Sequence, residues 1–120
     1  DYMIGSDAIP LGSMPHPRAY GTFPRFLGRF RRRFGGVKLE TLIQRVTQNP
    51  AVRFGLKDRG LIKEGYFADI TIFDSENLID NSTYDDPKQF PSGIPFVLVN
   101  GQIAVDNEKC TGVLAGRAIP

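Results

Sequence analysis

"PFVLVNGQIAVDN", residues 95–107, decides how the second half of this chain folds. Two runs rich in β-branched residues flank Asn100-Gly101. That dipeptide suits a type I′ turn, in which both central residues take φ > 0, so the stretch predicts a β-hairpin. Working back, residues 68–73 form a second strand-like run in which Ala68, Ile70 and Ile72 share one face. Leu61-Ile62 predicts an extended segment and Glu64-Gly65 a turn. Between the run and the hairpin, "SENLIDNSTYDDPKQFPSG", residues 75–93, is polar and proline-bearing and predicts a surface excursion.

Towards the N-terminus the period changes. In "TFPRFLGRFRRRFGG", residues 22–36, the residues Phe23, Phe26, Leu27, Phe30 and Phe34 recur on one helical face. Thr22 can serve as N-cap, Pro24 fits the first turn, and Gly35-Gly36 can end the helix. Arg25, Arg29, Arg32 and Arg33 fall on the opposite side. A second helix is predicted from Leu39 to Gln48, interrupted at Asn49-Pro50 and followed by a short turn through Ala51 to Phe54. Tyr2-Met3-Ile4 reads as a short buried strand, and Gly5 to Gly21 as a long loop. The chain thus divides near residue 55, with a strand, a loop and helices before it and a β-rich segment after it.

The composition bounds the possibilities. A chain of 120 residues, 41% hydrophobic, is one ordinary domain or part of a larger one. No apolar run approaches the ~20 residues a transmembrane helix needs. Cys110 is the only cysteine, so an internal disulfide and a CxxC metal site are both excluded, which fits a cytoplasmic protein. The net charge of +2 is unevenly spread. Residues 1–60 carry eleven Lys/Arg against four Asp/Glu, a net of +7, and residues 61–120 carry four against nine, a net of −5. Such a split suits a nucleic-acid face or two halves with different neighbours. The cluster Arg29, Arg31, Arg32 and Arg33 is the one nucleic-acid cue, but its interleaved phenylalanines fall on the apolar helix face, and a basic helix face is usually just solvated. No nucleic-acid partner is expected, and no membrane.

Three residues could carry chemistry. Asp7 follows the predicted strand; it is either a turn-capping aspartate or a carboxylate at a strand's C-terminal end, where barrel enzymes keep catalytic groups. His16, between Pro15 and Pro17, either braces its loop or meets a ligand. Arg18 is either a solvated cation or a planar fork for a carboxylate. HxH, HExxH, GxSxG, Walker and GxGxxG motifs are all absent. One histidine and one cysteine fall short of the three protein ligands a catalytic zinc wants.

Together, "MIGSDAIP", "PHPRAYGTFPRFLGRF", "NPAVRFGLKDRGLIKEGYFADITIFD" and "FVLVNGQIAVDN" resemble the C-terminal quarter of the N-acyl-D-amino-acid deacylases (D-aminoacylases) of the amidohydrolase superfamily. The pattern G-x-I-x-x-G-x-x-A-D-I at residues 60–70 is common to many amidohydrolases, whereas "GSD" followed by "PHPRAYGTFPRFLG" points to the deacylase branch. The resemblance implies an α+β fragment. Residues 1–55 would be the last strand and helices of a metal-dependent (β/α)8 hydrolase barrel, and residues 56–120 the C-terminal strands of a small β-sandwich.

It further implies hydrolysis of the linear amide of N-acyl-D-amino acids, with Zn2+ as cofactor in the intact enzyme. Asp7 would be the general base and acid, either a weak metal ligand or just beyond the ligands, which lie elsewhere. Arg18 would grip the substrate α-carboxylate, and His16 would line the pocket. The partners would be that small-molecule substrate and the rest of the barrel. By itself the segment is expected to be inactive and unable to hold zinc. A rival expectation is a non-catalytic β-rich assembly module.

Overall fold

The computed structural model describes residues 2–9 and 11–119. Its helices come first: α1 (Arg18–Pro24), a π-helical segment (Arg25–Phe30), α2 (Arg31–Phe34), α3 (Leu39–Val46) and α4 (Gln48–Arg53). Four short strands follow: β1 (Ile70–Ile72), β2 (Phe96–Val99), β3 (Gln102–Asp106) and β4 (Lys109–Cys110). Two compact units result, and they interleave in sequence. One takes the described residues of 1–3, 43–73 and 94–120; the other takes 4–42 and 74–93.

The first unit holds the sheet, an antiparallel meander in the order β1-β2-β3-β4. Ile70 pairs with Leu98 and Ile72 with Phe96, and the register between β2 and β3 slips between Val97 and Leu98. The predicted hairpin is present: Asn100 (φ 48°) and Gly101 (φ 79°) both lie in the left-handed region, as a type I′ turn requires. The same turn chemistry recurs at Asn107 and Glu108, both at positive φ, and brings in β4.

Asp69, the aspartate of the A-D-I pattern, is tied to this hairpin. Its carboxylate accepts the Asn100 N–H at 2.8 Å and pairs with Arg59, while Gly101 N–H donates to Ala68 O at 3.0 Å. Gly60 opens the pattern at φ +83°, and a Cβ there would lie 2.6 Å from the Ala51 methyl, so only glycine fits. This motif therefore builds the fold.

The second unit qualifies one expectation. The segment after Asp74 keeps more than half of its residues exposed, as a surface excursion does, but it packs on the helix of residues 18–34 through a few buried ones: Leu78 is 1% exposed, Ser82 2% and Asp80 6%. Two glycines spaced seven apart allow the approach. A Cβ on Gly28 would overlap the Leu78 carbonyl oxygen, and one on Gly21 would come within 2.9 Å of Asp80 Oδ2.

Part of the arginine cluster does the holding. Arg31 donates to Ser75 O (2.6 Å) and to Glu76, Arg32 donates to Leu78 O (2.8 Å), and Arg25 Nε donates to Asp80 Oδ2 (2.7 Å). The Arg31 hydrogen bond, with help from Ser75, holds the Glu76 carboxyl below its usual range, and Asn77 with the backbone N–H groups of residues 76 and 77 does the same for Asp74. Composition did not show these anchor points, because a polar, turn-rich segment can still bury a few residues when a glycine-notched helix receives its backbone.

Other boundaries moved too. Among the described residues Tyr2, Met3 and Ile4 form no strand; Tyr2 is 51% exposed, and its ring lies under the Arg45 guanidinium at 3.7 Å. A strand needs a neighbour for its ladder, and no described strand lies beside it. Helix α1 starts at Arg18, four residues before Thr22. Pro24 therefore sits inside the helix, and its missing N–H coincides with the change to π geometry at Arg25. Pro50 does not end helical structure; it lies in the first turn of α4, where no N–H is needed. Leu61 and Ile62 are exposed and outside any strand, and β1 is shorter than residues 68–73. No helix among the described residues is long and apolar enough to cross a membrane.

Candidate active site

The three singled-out residues fall in one unit, on the approach to α1 and its first turn. Asp7 adopts φ 48°, a left-handed conformation that aspartate tolerates better than most residues. Pro15 and Pro17 are buried and fix the chain around His16. Pro17 is the N-cap residue, its carbonyl accepts Gly21 N–H at 2.9 Å, and Arg18 begins the helix.

This local order brings Arg18 to Asp7. Arg18 Nη2 lies 3.2 Å from Asp7 Oδ2, with the two side chains 41% and 87% exposed. A pair so open to water adds little stability. What it sets is geometry: a carboxylate and a guanidinium side by side, with Arg18 Nε and Nη1 left without a partner among the described residues.

His16 contacts the same arginine through its backbone. Arg18 N–H donates to His16 Nδ1 at 3.1 Å, and His16 Nε2 lies 3.1 Å from Tyr84 Oη, with the two rings edge to face at 5.2 Å. An Nδ1 that accepts places the proton of a neutral imidazole on Nε2, which donates to Tyr84. Tyr84 was invisible as a site residue in the sequence. Nothing in its sequence neighbourhood marks it, and it is 74% exposed.

Beside this group lies a cleft of about 340 Å³ walled by His16, Arg25, Arg29, Asp80 and Tyr84. Neither Asp7 nor Arg18 lines it. Asp80 Oδ1 is buried there without a partner among the described residues. A metal does not fit the chain's own groups: no cluster of three His, Cys, Asp or Glu occurs among the described residues. Cys110, the sole thiol, is exposed on β4 in the other unit.

Residues 1–105 match the amidohydrolase family. Over 117 residues the chain is 44% identical to a D-aminoacylase from Alcaligenes xylosoxydans xylosoxydans, covering 98% of this chain and 24% of that protein. An N-acyl-D-glutamate deacylase of the same organism is 43% identical over 82% of this chain and 20% of its own length. A D-aminoacylase crystal structure superposes with TM-score 0.93 at 42% identity, over 98% of this chain and 25% of that one. An N-acyl-D-glutamate deacylase from Bordetella bronchiseptica, crystallised with zinc and a phosphonate mimic of the tetrahedral intermediate, gives 0.82 at 41% identity over 85% and 22%. D-Aminoacylase has also been described with a binuclear metal centre, activated by one metal and attenuated by the second. The chain spans about a quarter of the length of these proteins.

Proposed function

The chain belongs to the amidohydrolase family, and from that premise we propose that it is the C-terminal part of a metal-dependent N-acyl-D-amino-acid deacylase. The observation that carries the reading is the Asp7–Arg18 pair at 3.2 Å, built by the "GSD" and "PHPR" stretches. A free N-acyl amino acid presents an α-carboxylate next to the scissile amide. A guanidinium beside a carboxylate is the arrangement that can hold the first while acting on the second.

In this reading Asp7 takes a proton from the attacking water as its oxygen adds to the acyl carbon. The same carboxyl then returns the proton to the amide nitrogen as the C–N bond breaks, releasing a carboxylate and a D-amino acid. Arg18 holds the α-carboxylate through the donors it does not spend on Asp7. His16 lines the pocket. Zinc is held by residues outside this chain, because the described residues assemble no ligand set; Asp7 lies at or just beyond that set. Residues 1–55 form the end of a (β/α)8 barrel and residues 56–120 strands of a β-sandwich, both completed by the rest of the protein. The 44% identity to a D-aminoacylase favours this reading over the assembly module.

Asp7→Asn in the full-length protein tests it. Loss of the proton carrier is expected to lower kcat by about 10²–10⁴-fold with the fold intact. Unchanged turnover would refute the assignment.

A further inference from the structure

We propose that Tyr84 is a positioning residue for substrate recognition, acting through His16 on the backbone of Arg18. The inference rests on the deacylase reading of Arg18 and deepens it.

Three contacts join in series. Tyr84 Oη meets His16 Nε2, His16 Nδ1 accepts Arg18 N–H, and the Arg18 guanidinium reaches Asp7, at 3.1, 3.1 and 3.2 Å. Arg18 is the first residue of α1, where backbone N–H groups have no partner within the helix. His16 supplies the missing acceptor. It can do so only as the tautomer with its proton on Nε2, and Tyr84 is the group that accepts that proton in a hydrogen bond. Both imidazole nitrogens are therefore spent on protein partners. His16 contributes an oriented ring and leaves substrate bonding to Arg18.

Tyr84 is itself placed by an anchored turn. Thr83 N–H donates to Asp86 O at 3.1 Å, and Asp86 N–H to Thr83 Oγ1 at 2.9 Å. Ser82 Oγ donates to Gln89 O at 3.2 Å, closing the base of that turn. Arg25 secures the incoming strand of chain through Asp80 and through Ser82 O at 3.4 Å. The Arg25–Asp80 pair, buried only on its aspartate side, thus serves a tyrosine sixty-six residues from Arg18. Segment 74–93 has a function in this account: it carries the brace for the carboxylate anchor.

The test uses the full-length protein, with the best N-acetyl-D-amino acid of a panel and its α-carboxamide as paired substrates. Where the carboxamide turns over too slowly, its inhibition constant replaces its kcat/KM. Tyr84→Phe keeps the ring and removes the hydroxyl. It is expected to reduce the preference for the free acid roughly fivefold, the scale of one hydrogen bond, mainly through KM. His16→Asn retains an acceptor near Nδ1 but cannot reach Tyr84, so Tyr84→Phe should have no further effect in that background.

A merely structural role would lower both substrates alike and leave their ratio fixed; that result, or equal effects of Tyr84→Phe with and without His16→Asn, overturns the proposal. Arg18→Ala separates the two levels. If it leaves the preference intact, the anchor reading fails and the brace falls with it. If it abolishes the preference while Tyr84→Phe does not change it, only the brace fails.

Discussion

Among single residues, Arg25 and Asp80 divide their burden unequally. The Asp80 side chain is fully buried, with Oδ1 unpartnered among the described residues, while Arg25 keeps 36% of its side chain in contact with water. Removing the arginine strands a carboxylate in the interior; removing the aspartate leaves a guanidinium that can turn outward. Arg25→Ala is therefore expected to cost about 3 kcal/mol, and Asp80→Ala about 1 kcal/mol. Chemical denaturation of the two variants measures this, and equal costs would show that Asp80 is as well hydrated as its partner. The same contrast explains what could be read at this scale. Asp7 and Arg18 were singled out through the family resemblance of their stretches, where the residues alone left a turn aspartate and a solvated arginine open. Asp80 and Tyr84 were not, because their partners lie fifty-five and sixty-eight residues away.

At the scale of elements, the hairpin was legible and the helix only partly so. A type I′ turn is specified by two neighbouring residues, and Asn100-Gly101 supplied both. The apolar stripe of residues 23–34 did predict a helix, yet only Leu27 of its members is buried, at 8%. The side that receives segment 74–93 is marked by Gly21 and Gly28. Hydrophobic periodicity cannot see a contact made by missing side chains. Gly28→Ala is accordingly expected to destabilise the protein by about 1–3 kcal/mol, even though alanine is the better helix former. A thermal melt no lower than the parent's would mean that the helix and Leu78 are not in close contact.

For the whole molecule, charge is the clearest case of a pattern that needed three dimensions. The basic first half and acidic second half suited either a nucleic-acid face, which was not expected, or two halves with different neighbours. In the structure Arg25 pairs with Asp80, Arg31 with Glu76 and Arg59 with Asp69, so part of the asymmetry is internal complementarity. The described residues offer no metal cluster, and the relatives are about four times as long. Equilibrium dialysis against zinc should therefore show metal retained by the full-length protein and none retained stoichiometrically by residues 1–120. Tight binding by the short chain would contradict the proposed division of labour.

By itself the sequence determined what depends on neighbours along the chain: the helix-then-strand order, the Asn100-Gly101 turn and the glycines of residues 60–70. These follow from backbone conformations that one or two residues impose. The tertiary structure alone decided that Leu78, Asp80 and Ser82 are buried, that part of the arginine cluster grips their segment, and that Tyr84 reaches His16. Such contacts close long loops, and their energy comes from burial and from matched donors and acceptors, which no local pattern encodes.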